Sequence, residues 1–412
     1  MPNAEAIRAQ TTPEDGALFS VGLQDSKWKP QPHIAFTEDL RQKGELELVD
    51  PRLGTSIVIP FEKTCTLLED IEFEFVPPAL VPAGGATYIR YCDYLAYAII
   101  AGIKWSYTSN NLQTYHMDME WSDLQFMTDE QRANEEQLVG GNLSAAARNT
   151  YATAPYKLRV RIPAPWKDKK CHSPVISALA SKLTLTIDLN PAAYVVQTDG
   201  TKPAQLTLTQ CKIVYQQIHT TGHTRQQFTA LTNTKNGISY LVEDKNRVEF
   251  DIPANYFTNA GNQFTFQLAE LDGSIFKING IIRTQDQLDP VNANTAPYEI
   301  DTRYLEGLNY RIVSNGMDLQ DPENQDLDGV RKVQKFYQCK YDTQQFTCLW
   351  SEFPELKNVT SGSISFGNFN NPRLFLSNPL LNGNHPALRV TLLYPRYNWL
   401  VHQRGVIQKV WR

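Results

Sequence analysis

His219 and His223 stand four residues apart, the spacing that on a helix aims two imidazoles at one zinc ion. Thr220, Thr221 and Gly222 between them argue against a helix, and no carboxylate or third ligand lies close in sequence, so no metal role is expected. Asp118, Glu120 and Asp123 offer the carboxylate pair that a glycosidase needs, one to protonate and one to attack or to activate water. They fall on a helical pattern whose acids normally form its wet face, and nothing nearby argues for a pocket that would raise a pKa. The acidic run from Asp318 to Gly329 matches a calcium loop at Asn324, Asp326, Asp328 and Gly329, yet the position where a bidentate Glu belongs is Lys335. A solvated loop is the expectation there. Asn358-Val359-Thr360 is a formal glycosylation sequon in a chain whose start lacks the apolar core of a secretory signal. No G-x-S-x-G, Walker-type loop or H-E-x-x-H occurs. The expectation is therefore no catalytic residue, no cofactor-binding residue and no metal ligand, and a protein that is not an enzyme.

The elements that would position any such residues read as strands. The chain has 412 residues, more than one core usually serves, with 42% hydrophobic and 11% aromatic residues. Gly, Pro and Asn punctuate short apolar runs throughout, the texture of an all-β protein. A net charge of -5 argues against packing on bare nucleic acid, and Lys167, Lys169 and Lys170 read as a solvated loop. No apolar run reaches the roughly 18 to 20 residues of a membrane helix. The six cysteines, Cys65, Cys92, Cys171, Cys211, Cys339 and Cys348, form no CxxC pair and suit reduced core positions.

Residues 1–31 are polar and aperiodic and read as an arm, with Trp28 as its anchor. From Gly44 the strands begin: 45–49, 55–61, then Leu68 to Val76, where Ile71, Phe73 and Phe75 alternate with Glu72 and Glu74 as one buried and one wet face. Ile103, Trp105 and Tyr107 align on another strand. Met117, Trp121 and Leu124 recur at helical steps within 114–139, and Gly140-Gly141 stops that excursion. Further strands are expected at 158–162, 174–180, 182–189 and 206–218, about eight before residue 220, the number in a jelly roll. His219 to Arg225 reads as the linker. Residues 226–412 repeat the pattern with about eight more strands and a helix-like stretch at Pro297 to Leu308. In the closing stretch Leu388, Val390, Leu392 and Tyr394 share a face, and Tyr397 to Val401 reads as a final strand with Trp399 in the core and Gly405 to Arg412 reaching a neighbouring sandwich or subunit. The division expected is 1–31 arm, 32–218 first jelly roll, 219–225 linker and 226–412 second jelly roll.

Gly362 to Pro372 (GSISFGNFNNP), Leu388 to Tyr394, Tyr397-Asn398-Trp399-Leu400 and Gly405 resemble the end of the double jelly-roll major capsid proteins of large eukaryotic DNA viruses and of the related tailless, membrane-containing phages. Arg161 to Trp166, Ser173 to Leu179 and Leu183 to Leu189 are similar to a series in the family's first half, and Tyr97 to Trp105, the Trp121 helix and Gly140-Gly141 follow its order. The family's Gly-rich run after the Tyr-Asn-x-Leu segment is reduced to Gly405, and its Asn-His-Pro-Val strand is not visible around Phe276 to Ile282. The resemblance implies a structural protein of the virion capsid, made in the host cytoplasm. Three copies would form a homotrimer with a hexagonal footprint that tiles an icosahedral shell, beside minor capsid or penton proteins and above a possible internal membrane layer, with no direct nucleic acid binding. It also implies that 1–31 ties the trimer's base to neighbours or inner components, and that 77–85, 114–144 and 315–329 form outer tower or intersubunit loops. A minor or scaffolding double jelly-roll protein is one alternative. Another is a carbohydrate-binding or glycoside-cleaving sandwich, which would line Trp105, Trp121, Trp166 and Trp399 along an open cleft.

Overall fold

The computed structural model describes residues 39–410 apart from 50, 84, 167–172, 221, 259–261, 315, 320–343, 351–361, 370 and 382–384. The arm with Trp28, Lys167, Lys169, Lys170, Cys171, Cys339, the sequon and most of the acidic loop lie outside the described residues.

The first half folds through β1 (Asp39–Glu47), β2 (Ser56–Phe61), β3 (Leu67–Val76), β4 (Ile100–Tyr107), β5 (Asn110–Tyr115), β6 (Leu158–Arg161), β7 (Leu183–Leu189) and β8 (Thr209–Thr220). Two antiparallel sheets result, ordered β1-β8-β3-β6 and β2-β7-β4-β5. The second half supplies β9 (Ile238–Ile252), β10 (Phe264–Gln267), β11 (Lys277–Thr284), β12 (Asn309–Ser314), β13 (Met317–Asp318), β14 (Phe346–Leu349), β15 (Arg373–Ser377) and β16 (Leu388–Gln403). Its sheets are ordered β9-β16-β11-β14 and β10-β15-β12-β13. Adding eight to each strand number of the first half gives the second. Among the described residues each half is built on eight such strands in two sheets, with Ile89–Tyr91 pairing Val196–Thr198 beside the first and Ser274–Ile275 and Ile364–Ser365 extending the sheet of β16 in the second, and the chain is a double jelly roll. β17 (Val406–Val410) then doubles back along the end of β16.

Alternation explains the packing. In β7 every second residue, Leu183, Leu185, Ile187 and Leu189, is buried. Ile103, Trp105 and Tyr107 of β4 likewise point inward, and the Trp105 indole donates to the Pro163 carbonyl at 2.7 Å, so the Pro163 to Trp166 break lies over the first core. The face of β3 that bears Glu74 is only partly wet, with Asp70 exposed and Glu72 part-exposed. Glu74 is buried and its carboxylate takes Lys157 at 3.0 Å, Arg159, and Lys212 at 3.5 Å.

Several expectations change. Residues 174–180 are no strand but carry a short 3₁₀ turn, Ile176–Ala178, and the helix-like stretch from Pro297 holds only Thr302–Tyr304. Between β8 and β9 runs a helix, Gly222–Thr232, which buries Phe228 and Leu231 in the first core. Thr220 ends a strand and Gly222 opens a helix, so the run does not behave as a polar linker throughout. Tyr397 to Val401 belongs to the long β16, whose inward residues there are Asn398, Leu400 and His402, while Trp399 is only half-buried. Trp399→Ala is accordingly expected to cost about 1 kcal/mol in a urea melt, against roughly 3 to 5 for a fully buried Trp. Gly405 does reach the first sandwich: its carbonyl accepts from the Tyr107 hydroxyl at 2.5 Å and from the Ala180 amide at 2.8 Å.

Candidate functional site

The region with the densest buried chemistry is the seam between the sandwiches. Four helices leave the first jelly roll in its two long excursions: α1 (Leu95–Ile99), α2 (Met117–Leu124), α3 (Asp129–Val139) and α4 (Ala145–Thr153). Trp121 and Leu124 of α2 turn toward the first core, whereas Asp118 and Ser122, four apart and so on one face, meet the second half. Across from them β11 alternates. Ile278 and Ile282 enter the second core, while Lys277, Asn279 and Arg283 look back at α2.

Arg283 clamps Asp118 with two bonds, 2.9 Å to Oδ1 and 3.2 Å to Oδ2, and Arg247 of β9 adds a third at 3.2 Å. Lys277 reaches Asp123 Oδ1 at 2.9 Å, and Lys245 spans Asp123 Oδ2 at 3.1 Å and Glu120 at 3.2 Å. Between these pairs Ser122 Oγ accepts from Asn279 at 2.8 Å and donates to Gln345 at 2.6 Å. Burial would raise the Asp118 and Asp123 pKa values, but the facing cations outweigh it and hold both carboxyls below their ordinary range. Burial also opposes the Arg283 charge, and Asp118 more than restores it.

A second knot joins the strand ends. Asp244 of β9 accepts from Arg396 of β16 at 2.9 and 2.8 Å and from Lys409 of β17 at 2.8 Å. Lys409 also donates to Gln113 of β5 at 2.8 Å, and Gln113 donates to the Lys245 carbonyl at 3.0 Å. An open polar groove of about 680 Å³ lies over this knot, edged by Asn110, Asn111, Asn246 and Gln408. On the flank, Tyr298 from the connection after β11 is buried among Tyr94, Tyr97 and Trp121, with ring centroids 6.1 to 6.2 Å away. Beside it Thr198 and Gln197 of the first half donate to the carbonyls of Ala293 and Thr295.

His402, buried on β16 opposite Ile238 and Ile407, has no hydrogen-bond partner for either ring nitrogen. Burial pushes its pKa down to about 4, and burial together with Arg247 depresses that of His116. An unfolded histidine takes its proton near pH 6.5, but the folded His402 resists until about pH 4. Stability is thus complete above pH 6.5 and falls toward pH 4, by up to about 3 kcal/mol for this one group. His402→Leu is expected to flatten that part of the slope in urea midpoints taken at pH 7.5 and 4.5.

Asp118, Glu120 and Asp123 are thus brought together, though not as a catalytic dyad: each faces a cation, and the depressed carboxyls hold no proton to give at neutral pH. Nor do they form a wet helix face. His219 lies in β8 opposite Leu40, whereas His223 follows the helix start at Gly222, so no single helix presents both. Asp318 ends β13. Among the described residues no group of three or more His, Cys, Asp or Glu could hold a metal ion. Cys65, Cys92, Cys211 and Cys348 are buried thiols. Trp105, Trp121 and Trp166 are buried, so they form no open sugar cleft. The residues that the sequence reading missed are Lys245, Lys277, Arg283, Arg396 and Lys409. For Lys277 and Arg283 the signal was the polar face of KINGIIRT in β11, which period alone cannot tell from a solvated one.

No family model and no curated protein matches the chain. Solved structures do. VP54 of PBCV-1, in a crystal structure fitted into a reconstruction of the virophage Sputnik, superposes with a TM-score of 0.68 at 14% identity, over 92% of this chain and 98% of that one. The Faustovirus major capsid protein gives 0.61 at 9% identity, over 97% of both chains. A chain of the Sputnik virophage gives 0.56 at 11%, over 91% and 88%. The protein shares its double jelly-roll fold with these capsid chains.

Proposed function

We propose that the protein is the major capsid protein of an icosahedral virus, a structural rather than catalytic subunit that trimerises into pseudo-hexagonal capsomers. The observation that carries this reading is the same strand order repeated in two sandwiches and locked by a buried ionic seam. That makes one chain a rigid block with two equivalent sides, and three such blocks place six sandwiches in a ring. The near-complete overlap with capsid chains supports the same role. In this reading 1–31 is the arm, 32–218 and 226–412 are the two jelly rolls and 219–225 joins them. Catalytic, cofactor and metal residues have no part, and 77–85 with α3 and α4 supply outer tower or intersubunit surface, while α1 and α2 stay buried. Partners are further copies, then minor capsid or penton proteins, and the place of action is the virion.

The test is light scattering joined to electron microscopy of the purified protein. Particles of three times the 46.8 kDa chain mass with a hexagonal outline are expected. A stable monomer at micromolar concentration would overturn the proposal, and trimers that never enter shells would favour the minor or scaffolding role.

A further inference from the structure

One side of the first sandwich is left open. Among the described residues β1 pairs only with β8 and β2 only with β7, so each is the end strand of its sheet. Phe61 of β2 meets the Tyr215 ring of β8 edge-on at 5.4 Å, and Tyr215 is the partner of Gly44 in β1. The two free edges therefore run along the same side.

The inward face of β1 is incompletely covered there. Residues opposite each other in antiparallel strands share a face. Leu46 stands opposite Ile213, which is fully buried, and Gly44 opposite Tyr215, whose ring occupies the place of a Gly44 Cβ. By the same alternation Leu40 belongs to that inward face. Yet Leu40 is 64% and Leu46 39% exposed, and Ile57 of β2 and Tyr215 are only partly buried against the core. Arg41, Lys43, Glu45 and Glu47 take the other face, where Lys43 and Lys212 both hold Glu45. A nine-residue edge with uncovered leucines is a template for one more strand.

The chain itself carries a segment that fits. Residues 1–38, which lie outside the described residues, lead directly into β1. Their longest stretch free of charge and proline is Gly16 to Gln24. In it Ala17, Phe19, Val21 and Leu23 alternate with Leu18, Ser20 and Gly22, the period of a strand with one apolar face. Residues 24–38 can span at most about 50 Å, against roughly 30 Å for the length of β1, so the stretch reaches any point of that edge. The tether also holds it near its own sandwich at an effective concentration on the order of millimolar, which favours docking within the chain over docking on a second copy.

We propose that Ala17 to Leu23 docks on the free edge of β1 in its own chain, as an added outer strand of the first sandwich. Its backbone pairs with β1, while Phe19 and Val21 cover Leu40, Leu46 and the rim formed by Ile57 and Tyr215. This divides the arm: 17–23 close the sandwich, and only the residues before them are left to reach other molecules. The proposal does not rest on the capsid reading, because a monomer has the same open edge.

Hydrogen exchange of the full chain, read by mass spectrometry, tests it. Amides of 17–23 are expected to exchange about a hundredfold more slowly than free peptide, and those of 40–47 to lose about tenfold of their protection in the double variant Phe19→Asp, Val21→Asp. Strand β7, inside the other sheet, is the reference and should be equally protected in both proteins. A photoreactive phenylalanine analogue at Phe19 then identifies the neighbour. Illumination is expected to join it to peptides holding Leu40, Leu46 or Ile57, while the denatured product keeps the mass of one chain. Free exchange at 17–23, indifference of 40–47 to the double variant, or a cross-linked product with the mass of two chains would each overturn the proposal. Should the double variant unfold β7 as well, the cross-link alone decides. A trimer without the cross-link sinks the docked strand alone, whereas a monomer with it sinks the capsid reading alone.

Discussion

Asp118→Ala is expected to lower the unfolding free energy by about 3 to 5 kcal/mol, because it strands a buried cation rather than because the pair is strong in itself. The Arg283 side chain is 3% exposed and Asp118 8%, so water cannot replace the lost carboxylate. The remaining acceptors of Arg283, the Pro297 carbonyl and Thr391, are neutral. The double variant Asp118→Leu, Arg283→Met removes both charges and should recover most of the loss. Urea unfolding of the single and double variants checks both statements. A single-variant loss below about 1 kcal/mol would mean that the seam admits water and behaves like a surface pair.

Trp105→Ala is the second large effect, again about 3 to 5 kcal/mol. The indole is fully buried, stacks on Phe61 at 5.8 Å and meets Trp166 edge-on at 5.1 Å. Truncation leaves a cavity and also a Pro163 carbonyl without its donor, so Trp105→Phe, which refills much of the space, should still cost roughly 1 to 3 kcal/mol for the carbonyl. Near-ultraviolet dichroism should lose the coupled signal of the Trp105–Trp166 pair in both variants. Equal stabilities for the two would show that volume alone matters and that the hydrogen bond contributes little.

Much of the fold is legible in the sequence, because strands with one apolar face declare themselves: LTLTIDL and the Ile103, Trp105, Tyr107 series needed no tertiary context. The helical turn of 114–139 and its stop at Gly140, which ends α3 with φ +72°, were equally plain. The seam was not. Asp118 and Arg283 are far apart in sequence, and each alone has the look of a solvated charge. Only the packing of a helix from one half on a strand from the other makes them partners. The same blindness explains Glu74, read as wet and found buried, and Trp399, whose bulk suggested the core although its place in the alternation of β16 puts it outside. The helix after Gly222 was missed because Thr and Gly weigh against helix locally, and burial of Phe228 and Leu231 overrides them.

The reach of β16 and β17 also sets a timetable. Leu400 and Ile407, made long after the first half, complete the core of the first sandwich, alongside Ile238, Tyr240 and Leu393. On a ribosome the first half therefore emerges with an unfinished core and must wait for β16 and β17 before it can close. Contacts such as Tyr107 to Gly405, 298 residues apart, carry a heavy loop-closure cost and slow folding. Chains halted short of residue 400 should then lose not a peripheral strand but the integrity of their oldest part, so only finished subunits would be fit to assemble.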